Sequence, residues 1–500
     1  MTTSSAVNAR AAARAEPRML IDGELREAQS GARFDNLSPA TGKVLGSTAA
    51  ASSHDMNVAI GAARRAFDET DWTSNRALRK RCLLQLQEAL EREREDLRDE
   101  IIAEVGAPAM TTTMAQVDWP MTDALTYPAE LIDSFAWDRE LGAGTAGGEG
   151  NQRRVVKEPM GVVAAIAPWN YPFEIVSNKL GQALATGNTV VLKPDPNTPW
   201  CSTRIGRLIA EHTDIPAGVV NVVTTPDNAV AELLVTDPRV DQLSFTGSTD
   251  VGRLIARKGA ETLKRVFLEL GGKSAMVLLD DADLDAALPN TAQVCFHAGQ
   301  GCAVNTRLLV PAHLYDTVIE KVVELFGFFA PGDPARPDTL LGPVISPKQR
   351  ERILGFVDRA RDAGADIVTG GTAATNLDPE IAGGNYVLPT LVAGVDNSAE
   401  IARREVFGPV MVILPYQDEA QALAIANDSD YGLSGSVFSA SPDRAMAFAS
   451  GLRAGSVNVN GGLFYGADAP YGGYKASGIG RQNGIEGFEQ YLETKTIGYR

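Results

Sequence analysis

From Val162 to Leu268 the chain alternates short apolar runs with longer amphipathic ones, and no other feature restricts its possible folds as much. Val162–Ile166, Thr189–Leu192, Val219–Val223, Gln242–Phe245 and Arg265–Leu268 read as buried strands. Between them, Phe173–Ala185, Trp200–His212, Val230–Leu234 and Thr249–Lys258 read as helices. Apolar strands alternating with helices predict a parallel, doubly wound sheet covered on both faces. Such a sheet binds ligands beyond the carboxyl ends of its strands.

A second α/β series opens at Ala275-Met276-Val277-Leu278. It continues through Leu284–His297, Arg307–Val310, a helix near Thr317–Phe326 and further units to Val457. The glycine pair Gly271-Gly272 between the two series marks a domain boundary. Upstream, Met19–Glu24 and the turn Ser38–Lys43 suggest a small antiparallel β element. A helix at Val58–Phe67 follows, then a long one at Arg76–Val105 with Leu83, Leu84, Leu90, Leu97 and Ile101 on one side. Its charge run from Glu91 to Asp96 reads as a solvated face, and Gly106-Ala107-Pro108 stops it. Residues 1–16 are rich in Ala, Arg and Ser without an apolar core, which predicts a disordered tail rather than a signal peptide or a membrane span. The glycine-heavy stretch 142–150 predicts a surface loop or hairpin, with a strand-like run, Gln152–Lys157, after it.

The chemistry concentrates between Val266 and Arg307. An apolar run ends on Glu269, just before Gly271-Gly272. Burying a carboxylate there raises its pKa, which suits a general base. Downstream, Cys302 sits among small residues in Gly299-Gln300-Gly301-Cys302-Ala303, where a substrate carbon can approach the sulfur. Thiol and base together make nucleophilic catalysis possible, although a lone cysteine is ordinarily packing and a Glu beside glycines is ordinarily a strand end. Phe245-Thr246-Gly247-Ser248-Thr249 is a strand ending in a Gly-Ser turn that opens a helix. That helix start suits a pyrophosphate, since Gly247 lets the backbone come close, but Ser248 equally reads as a plain cap.

These segments, with Pro168-Trp169-Asn170, Glu405-Val406-Phe407-Gly408-Pro409 and Pro470-Tyr471-Gly472-Gly473-Tyr474-Lys475, resemble the signature segments of the aldehyde dehydrogenase superfamily. They keep that family's order and spacing from about Pro17 to the C-terminus. The resemblance implies a Rossmann-like dinucleotide-binding domain (17–140 and 157–270), a second α/β catalytic domain (271–476) and a small β oligomerisation arm (141–156 and 477–500). It implies NAD(P)-dependent oxidation of an aldehyde to the acid, of the hydrolytic, non-acylating type. Cys302 would be the nucleophile, Glu269 the base that activates water, Asn170 with the Cys302 N–H the oxyanion donors, and Lys179 a lysine near the proton path.

For the cofactor, the resemblance implies contacts from Ile166, Pro168, Trp169, Gly247, Ser248, Gly252 and Leu270. Lys193 would hydrogen-bond the adenosine ribose, and Glu405 and Phe407 would hold the nicotinamide ribose and ring. NAD-committed members often carry a glutamate three residues after that lysine. Here the position is Pro196, so NAD is expected with NADP possible, and Asp195 lies beside it. Tyr171, Ile175, Asn178, Phe296, Tyr465 and Tyr471 match tunnel positions, and three tyrosines suit aromatic or medium-chain apolar aldehydes. Where many hydrolytic members have a second glutamate this chain has Ile485, with Glu486 shifted by one, which leaves Glu269 as the base. A coenzyme-A-acylating enzyme and a non-catalytic binding protein of the same fold are the rival readings.

A formal charge of −17 argues against nucleic acid and anionic membranes as partners. Four cysteines without CxxC spacing and only four histidines give no zinc or iron set. A chain of 500 residues needs no disulfide framework, so a reducing cytoplasm fits. The strand-like end Tyr491–Ile497 would leave an unprotected edge. By resemblance the arm near residue 150 pairs with it across a subunit boundary, giving a homodimer or homotetramer.

Overall fold

The computed structural model describes residues 3–144 and 150–500. Among them, the alternating stretch forms the centre of an eight-stranded sheet. Its order is Gly478–Ile479, Arg265–Glu269, Gln242–Thr246, Val162–Ile166, Thr189–Lys193, Val220–Val222, Met19–Ile21, Glu24–Arg26. The five strands of the alternating stretch pair in parallel. Successive side chains of a strand point to opposite faces, and both faces here are apolar. Val163, Ala165, Val190 and Leu192 enter one core cluster, while Val162, Ala164, Val191 and Leu243 enter another. In register, Ile166 pairs with Lys193 and with Phe245, and Thr246 pairs with Glu269. The carboxyl ends of four strands thus form one row.

A second sheet takes the order Asp366–Thr369, Thr390–Ala393, Val410–Tyr416, Asn305–Pro311, Ser274–Leu278, Ser434–Phe438, Ser456–Val459. Only its edge strand Asp366–Thr369 runs antiparallel. The first sheet's strand ends at Glu269 and this sheet's strand begins at Ser274. Glu269 and the loop carrying Cys302 therefore meet where the sheets adjoin. Among the described residues no helix is long and apolar enough to cross a membrane.

Several expectations require correction. Within the predicted disordered tail, Ser4–Arg14 is a helix with Val7 and Ala11 buried. Alanine and arginine are strong helix formers, and the small alanine face lets the helix pack with Ile102, Ala103, Trp200 and Ala335. The Ser4 N–H donates to Asp333 at 2.8 Å, and Arg10 pairs with Asp99 at 2.7 Å. The long helix Arg76–Val105 is broken at Glu93, whose ψ of 19° leaves the helical range, and it ends in a π-turn at Ile101–Val105. Glu93 is drawn to Arg204 and Arg207, so the charge run is not purely a solvated face. Leu284–His297 is helical only to Ala287 and continues as 3-10 turns, with His297 and Ala298 in left-handed conformation.

The arm also differs. Gln152–Pro159 pairs antiparallel with Leu492–Tyr499 along its whole length, and Asp138–Glu140 flanks it. The pairing expected across a subunit boundary lies within one chain. Tyr491 explains this by fixing the start of the last strand to its own sheet. Its hydroxyl hydrogen-bonds Ser244 Oγ at 2.9 Å, and its carbonyl accepts from Asn188 Nδ2 at 2.9 Å. Gly478–Ile479, expected in the arm, pairs with Leu268 and Glu269 in the first sheet. Of the stretch 142–150, residues 145–149 lie outside the described residues.

Candidate active site

Glu269 ends its strand with 4% of its surface exposed, and neither carboxylate oxygen has a hydrogen-bond partner among the described residues. Burial pushes its pKa up to about 8, against the opposing charges of Lys179 and Arg481, while Glu174 adds to the rise. Lys179 is fully buried on the helix Pro172–Ala185, not at the surface where a lone lysine ordinarily lies. Its Nζ donates to Ser244 Oγ at 3.0 Å and sits 5.0 Å from the centre of the Phe267 ring. Burial lowers its pKa to about 7, against the pull of Glu269. A carboxyl and an amine that bear on each other's charge thus both titrate near neutrality.

The loop is held in place ahead of Cys302. Gln300 is fully buried, donates from Nε2 to the His297 carbonyl at 3.1 Å and accepts the Ile345 N–H at 2.8 Å. Asn170 Nδ2 donates to the Gln300 carbonyl at 2.9 Å, and the Asn170 carbonyl accepts from Gln116 Nε2 at 2.9 Å. One of the two Asn170 amide protons is thus spent on orienting the loop, and the other has no partner among the described residues. Cys302 is half-buried, with its Sγ 3.2 Å from Tyr471 Oη. Burial and the charges of Glu269, Glu174 and Glu405 push the thiol well above its ordinary range, and the Tyr471 hydroxyl opposes them.

The glycine pair is required by close approach. A Cβ at Gly272 would stand 2.7 Å from the Cys302 carbonyl oxygen, and one at Gly271 would stand 2.1 Å from Glu405 Oε2. Gly272 N–H donates to Glu405 Oε1 at 2.9 Å. Burial pushes Glu405 up to about 7 against that bond and the Arg352 and Lys273 charges. Phe407 has a φ of 59°, and its ring stands edge-on to Trp169 at 5.4 Å. Two residues without a sequence signal secure this loop. Arg352 donates to the Glu405 carbonyl at 2.7 Å, and Gln349 Nε2 to the Phe407 carbonyl at 2.7 Å.

The row of strand ends leads into this loop. Ile166 and Pro168 are half-buried, and the Ala167 N–H donates to the Lys193 carbonyl at 3.1 Å. Lys193 Nζ bonds only the Pro194 carbonyl among the described residues, at 3.0 Å, and burial lowers its pKa. Asp195 is turned away to Asn197, accepting its N–H at 2.9 Å and its side-chain amide at 2.7 Å. Ser248 caps the helix Thr249–Gly259 weakly, accepting from Val251 at 3.4 Å. A Cβ at Gly252 would stand 2.5 Å from Leu270 Cδ2, so this glycine lets the helix lie against the strand end. A cavity opens here, lined by Ser248, Thr249, Arg253, Arg352, Glu405 and Tyr431. Helix-terminal N–H groups, arginines and a ribose-competent carboxylate fit a dinucleotide.

On the other side of Cys302, the tunnel positions divide. Tyr171 stands at the start of the helix Pro172–Ala185, edge-on to His297 at 5.3 Å, with its Oη 3.8 Å from where a Gly301 Cβ would be. Tyr471 stacks on Phe464 at 5.8 Å, and Tyr465 lies 5.9 Å from Trp119. Asn178 is buried on the helix that follows Tyr171. Ile175 packs against the first core, and Phe296 turns its ring edge-on to Phe329 at 5.5 Å. Ile485 and Glu486 are exposed. The carboxylates that bear on Cys302 are instead Glu269, Glu174 and Glu405.

A profile described as the aldehyde dehydrogenase family matches residues 25–497. The chain belongs to this family. Its similarity to 3-succinoylsemialdehyde-pyridine dehydrogenase of a Pseudomonas species is 38% identity, over 95% of this chain and 97% of that protein. Aminoacetaldehyde dehydrogenase of Pseudomonas aeruginosa is 37% identical over 96% of this chain and 95% of that protein. Among solved structures, betaine aldehyde dehydrogenase of Staphylococcus aureus in complex with NAD+ matches with a TM-score of 0.94 and 32% identity, over 98% of this chain and 97% of that one. Indole-3-acetaldehyde dehydrogenase AldA of P. syringae, a cysteine-to-alanine mutant in complex with NAD+ and IAA, matches with a TM-score of 0.93 and 36% identity over the whole of both chains.

As an aldehyde dehydrogenase, the protein brings Cys302, Glu269, Asn170 and Lys179 together with Tyr171, Tyr465 and Tyr471. Sequence reading passed over Glu174, Trp119, Gln116, Ser244, Gln349 and Arg352. Each is a common polar or aromatic residue outside the signature segments, and only folding gives it a partner.

Proposed function

We propose that this aldehyde dehydrogenase uses NAD to oxidise an aldehyde to its carboxylic acid through a covalent thioester on Cys302. The observation that carries the reading is a half-buried thiol within the electrostatic reach of an unpartnered, buried carboxylate whose pKa lies near neutrality. Glu269 as carboxylate accepts the thiol proton, and Cys302 Sγ bonds the aldehyde carbon. The carbonyl oxygen becomes an oxyanion beside the free Asn170 amide proton and the Cys302 N–H. Lys193, Glu405, Phe407 and the start of the helix Thr249–Gly259 would hold NAD, which would supply the acceptor for the hydride. Glu269, its proton released toward solvent past Lys179, then takes a proton from water as that water attacks the thioester carbonyl. The acid leaves and the thiol returns.

A boundary at Gly271-Gly272, between a dinucleotide-binding unit and a catalytic unit, belongs to the same reading. So does assembly into a homodimer or homotetramer, since Leu492–Tyr499 remains an open, mostly exposed edge. The aromatic walls favour an aldehyde with an aromatic or medium-chain body over acetaldehyde. The test is NAD reduction by the purified protein and by Cys302→Ala, with benzaldehyde, a medium-chain aldehyde and acetaldehyde. Reduction that depends on Cys302 and is fastest with the larger aldehydes is expected. Reduction surviving in Cys302→Ala contradicts the mechanism, and equal turnover of acetaldehyde contradicts the substrate class.

A further inference from the structure

Two buried cations stand at the amino ends of neighbouring strands of the second sheet. Lys273 immediately precedes the strand Ser274–Leu278, and Arg307 lies on the strand Asn305–Pro311, with 1% and 2% of their surface exposed. Arg307 is held by neutral oxygens alone. Its Nε donates to the Lys273 carbonyl at 2.9 Å, Nη1 to Asn397 Oδ1 at 2.8 Å and the Ile425 carbonyl at 3.0 Å, and Nη2 to the Ala426 carbonyl at 2.9 Å. Lys273 Nζ has no partner among the described residues. A buried ammonium ordinarily pairs with a carboxylate. Glu405 and Asp428, whose charges reach these two cations, are engaged elsewhere. Glu405 accepts the Gly272 N–H at 2.9 Å, and Asp428 pairs with Arg403 at 2.9 Å. Burial and the Arg307 charge lower the Lys273 pKa to about 7, with Glu405 opposing.

Both cations line one cavity, together with Ser274, Tyr431, Ser434 and Arg453, and no acidic residue is in its wall. The serines supply no counter-charge and are already paired. Their hydroxyls lie 2.8 Å apart, and Ser434 donates to the Ala303 carbonyl at 2.8 Å. The cavity has a volume of about 20 Å³, room for one water-sized species and too small for a phosphate or a carboxylic acid. A water here gives Lys273 a hydrogen bond but leaves two positive charges facing each other. A monatomic anion accepts from the ammonium and offsets that repulsion.

We propose that this cavity is a halide site, in which one chloride ion lies against the Lys273 ammonium and the Arg307 guanidinium. The site stands apart from the dehydrogenase reading, because it uses none of the residues assigned to chemistry or cofactor. Its occupant ties together the amino ends of the strands that begin at Ser274, Asn305 and Ser434.

The test measures the thermal midpoint of the full-length protein at neutral pH in sodium chloride and in sodium gluconate of equal ionic strength. Gluconate has the same charge but is too large for the cavity. The native protein and Lys273→Met are compared, so that general salt effects cancel. The chloride-minus-gluconate shift is expected to be higher in the native protein by about 2 °C or more, and to saturate with chloride as single-site binding does. Equal shifts in the two proteins overturn the proposal. Crystals of the native protein soaked in sodium bromide give a second readout that needs no variant. An anomalous peak in contact with Lys273 Nζ is expected, and its absence overturns the site whatever the midpoints show.

Discussion

The Cys302 sulfur and the Tyr471 hydroxyl oxygen lie 3.2 Å apart. Burial and three carboxylates disfavour the thiolate, and Tyr471 is the side chain that counters them. The tyrosine's own ionisation is pushed well above its usual range, so it stays a proton donor. A hydrogen bond to a charged group is worth about 1.5–3 kcal/mol. Tyr471→Phe should therefore move the pH midpoint of Cys302 alkylation by iodoacetamide upward and lower kcat/KM by about tenfold or more. Identical alkylation profiles would remove Tyr471 from the account.

Glu269 acts as a base only as the carboxylate, which exists above its pKa. With that pKa held up to about 8 by burial, the rate of thioester hydrolysis should climb through neutral pH and level off above about pH 8. Lys179 favours the charged form of Glu269, so Lys179→Met should displace this limb to higher pH, and Glu269→Gln should abolish it. Single-turnover acid release against pH reads all three. A limb unmoved in Lys179→Met would show that the two groups are uncoupled.

Gly271→Ala places a Cβ 2.1 Å from Glu405 Oε2 without any problem of backbone conformation. The carboxylate must swing away, leaving its bond with the Gly272 N–H. Overpacking of this kind costs about 1–3 kcal/mol. We expect a rise in KM for NAD of about tenfold with a smaller change in kcat, measured at saturating aldehyde. An unaltered KM for NAD would mean that Glu405 does not hold the ribose.

Position 196 is proline, and the Asp195 carboxylate is engaged by Asn197. Measurable NADP reduction is therefore expected beside the preferred NAD. Pro196→Glu should depress the NADP rate by about tenfold and spare NAD, because a carboxylate repels a 2′-phosphate. Equal effects on the two cofactors would place the ribose elsewhere.

The alternation of Val162–Leu268 was enough to give the parallel sheet, because strands buried on both faces leave an unbroken apolar signature. The signature segments pointed to Cys302, Glu269 and Asn170 as candidates, because a thiol, a carboxylate and an amide are residue types that such chemistry needs. Glu174 was not legible, since a glutamate in the first turn of a helix ordinarily serves the helix dipole. Its bearing on Cys302 and Glu269 arises only when elements far apart in sequence are brought together by the fold. The N-terminal helix was missed for a related reason: its apolar face is made of Val7 and alanines, too small to register as periodic. The break at Glu93 depends on Arg204 and Arg207, which lie on a distant helix.

The most direct test of the covalent mechanism is intact-protein and peptide mass spectrometry of Glu269→Gln after mixing with NAD and an oxidisable aldehyde. Without its base, the enzyme should reduce about one equivalent of NAD per active site and then stall. The mass gained should equal the acyl group and map to the peptide containing Cys302. Continued NAD reduction with no adduct, or an adduct on Cys82, Cys201 or Cys295, would contradict the assignment of Cys302 and Glu269.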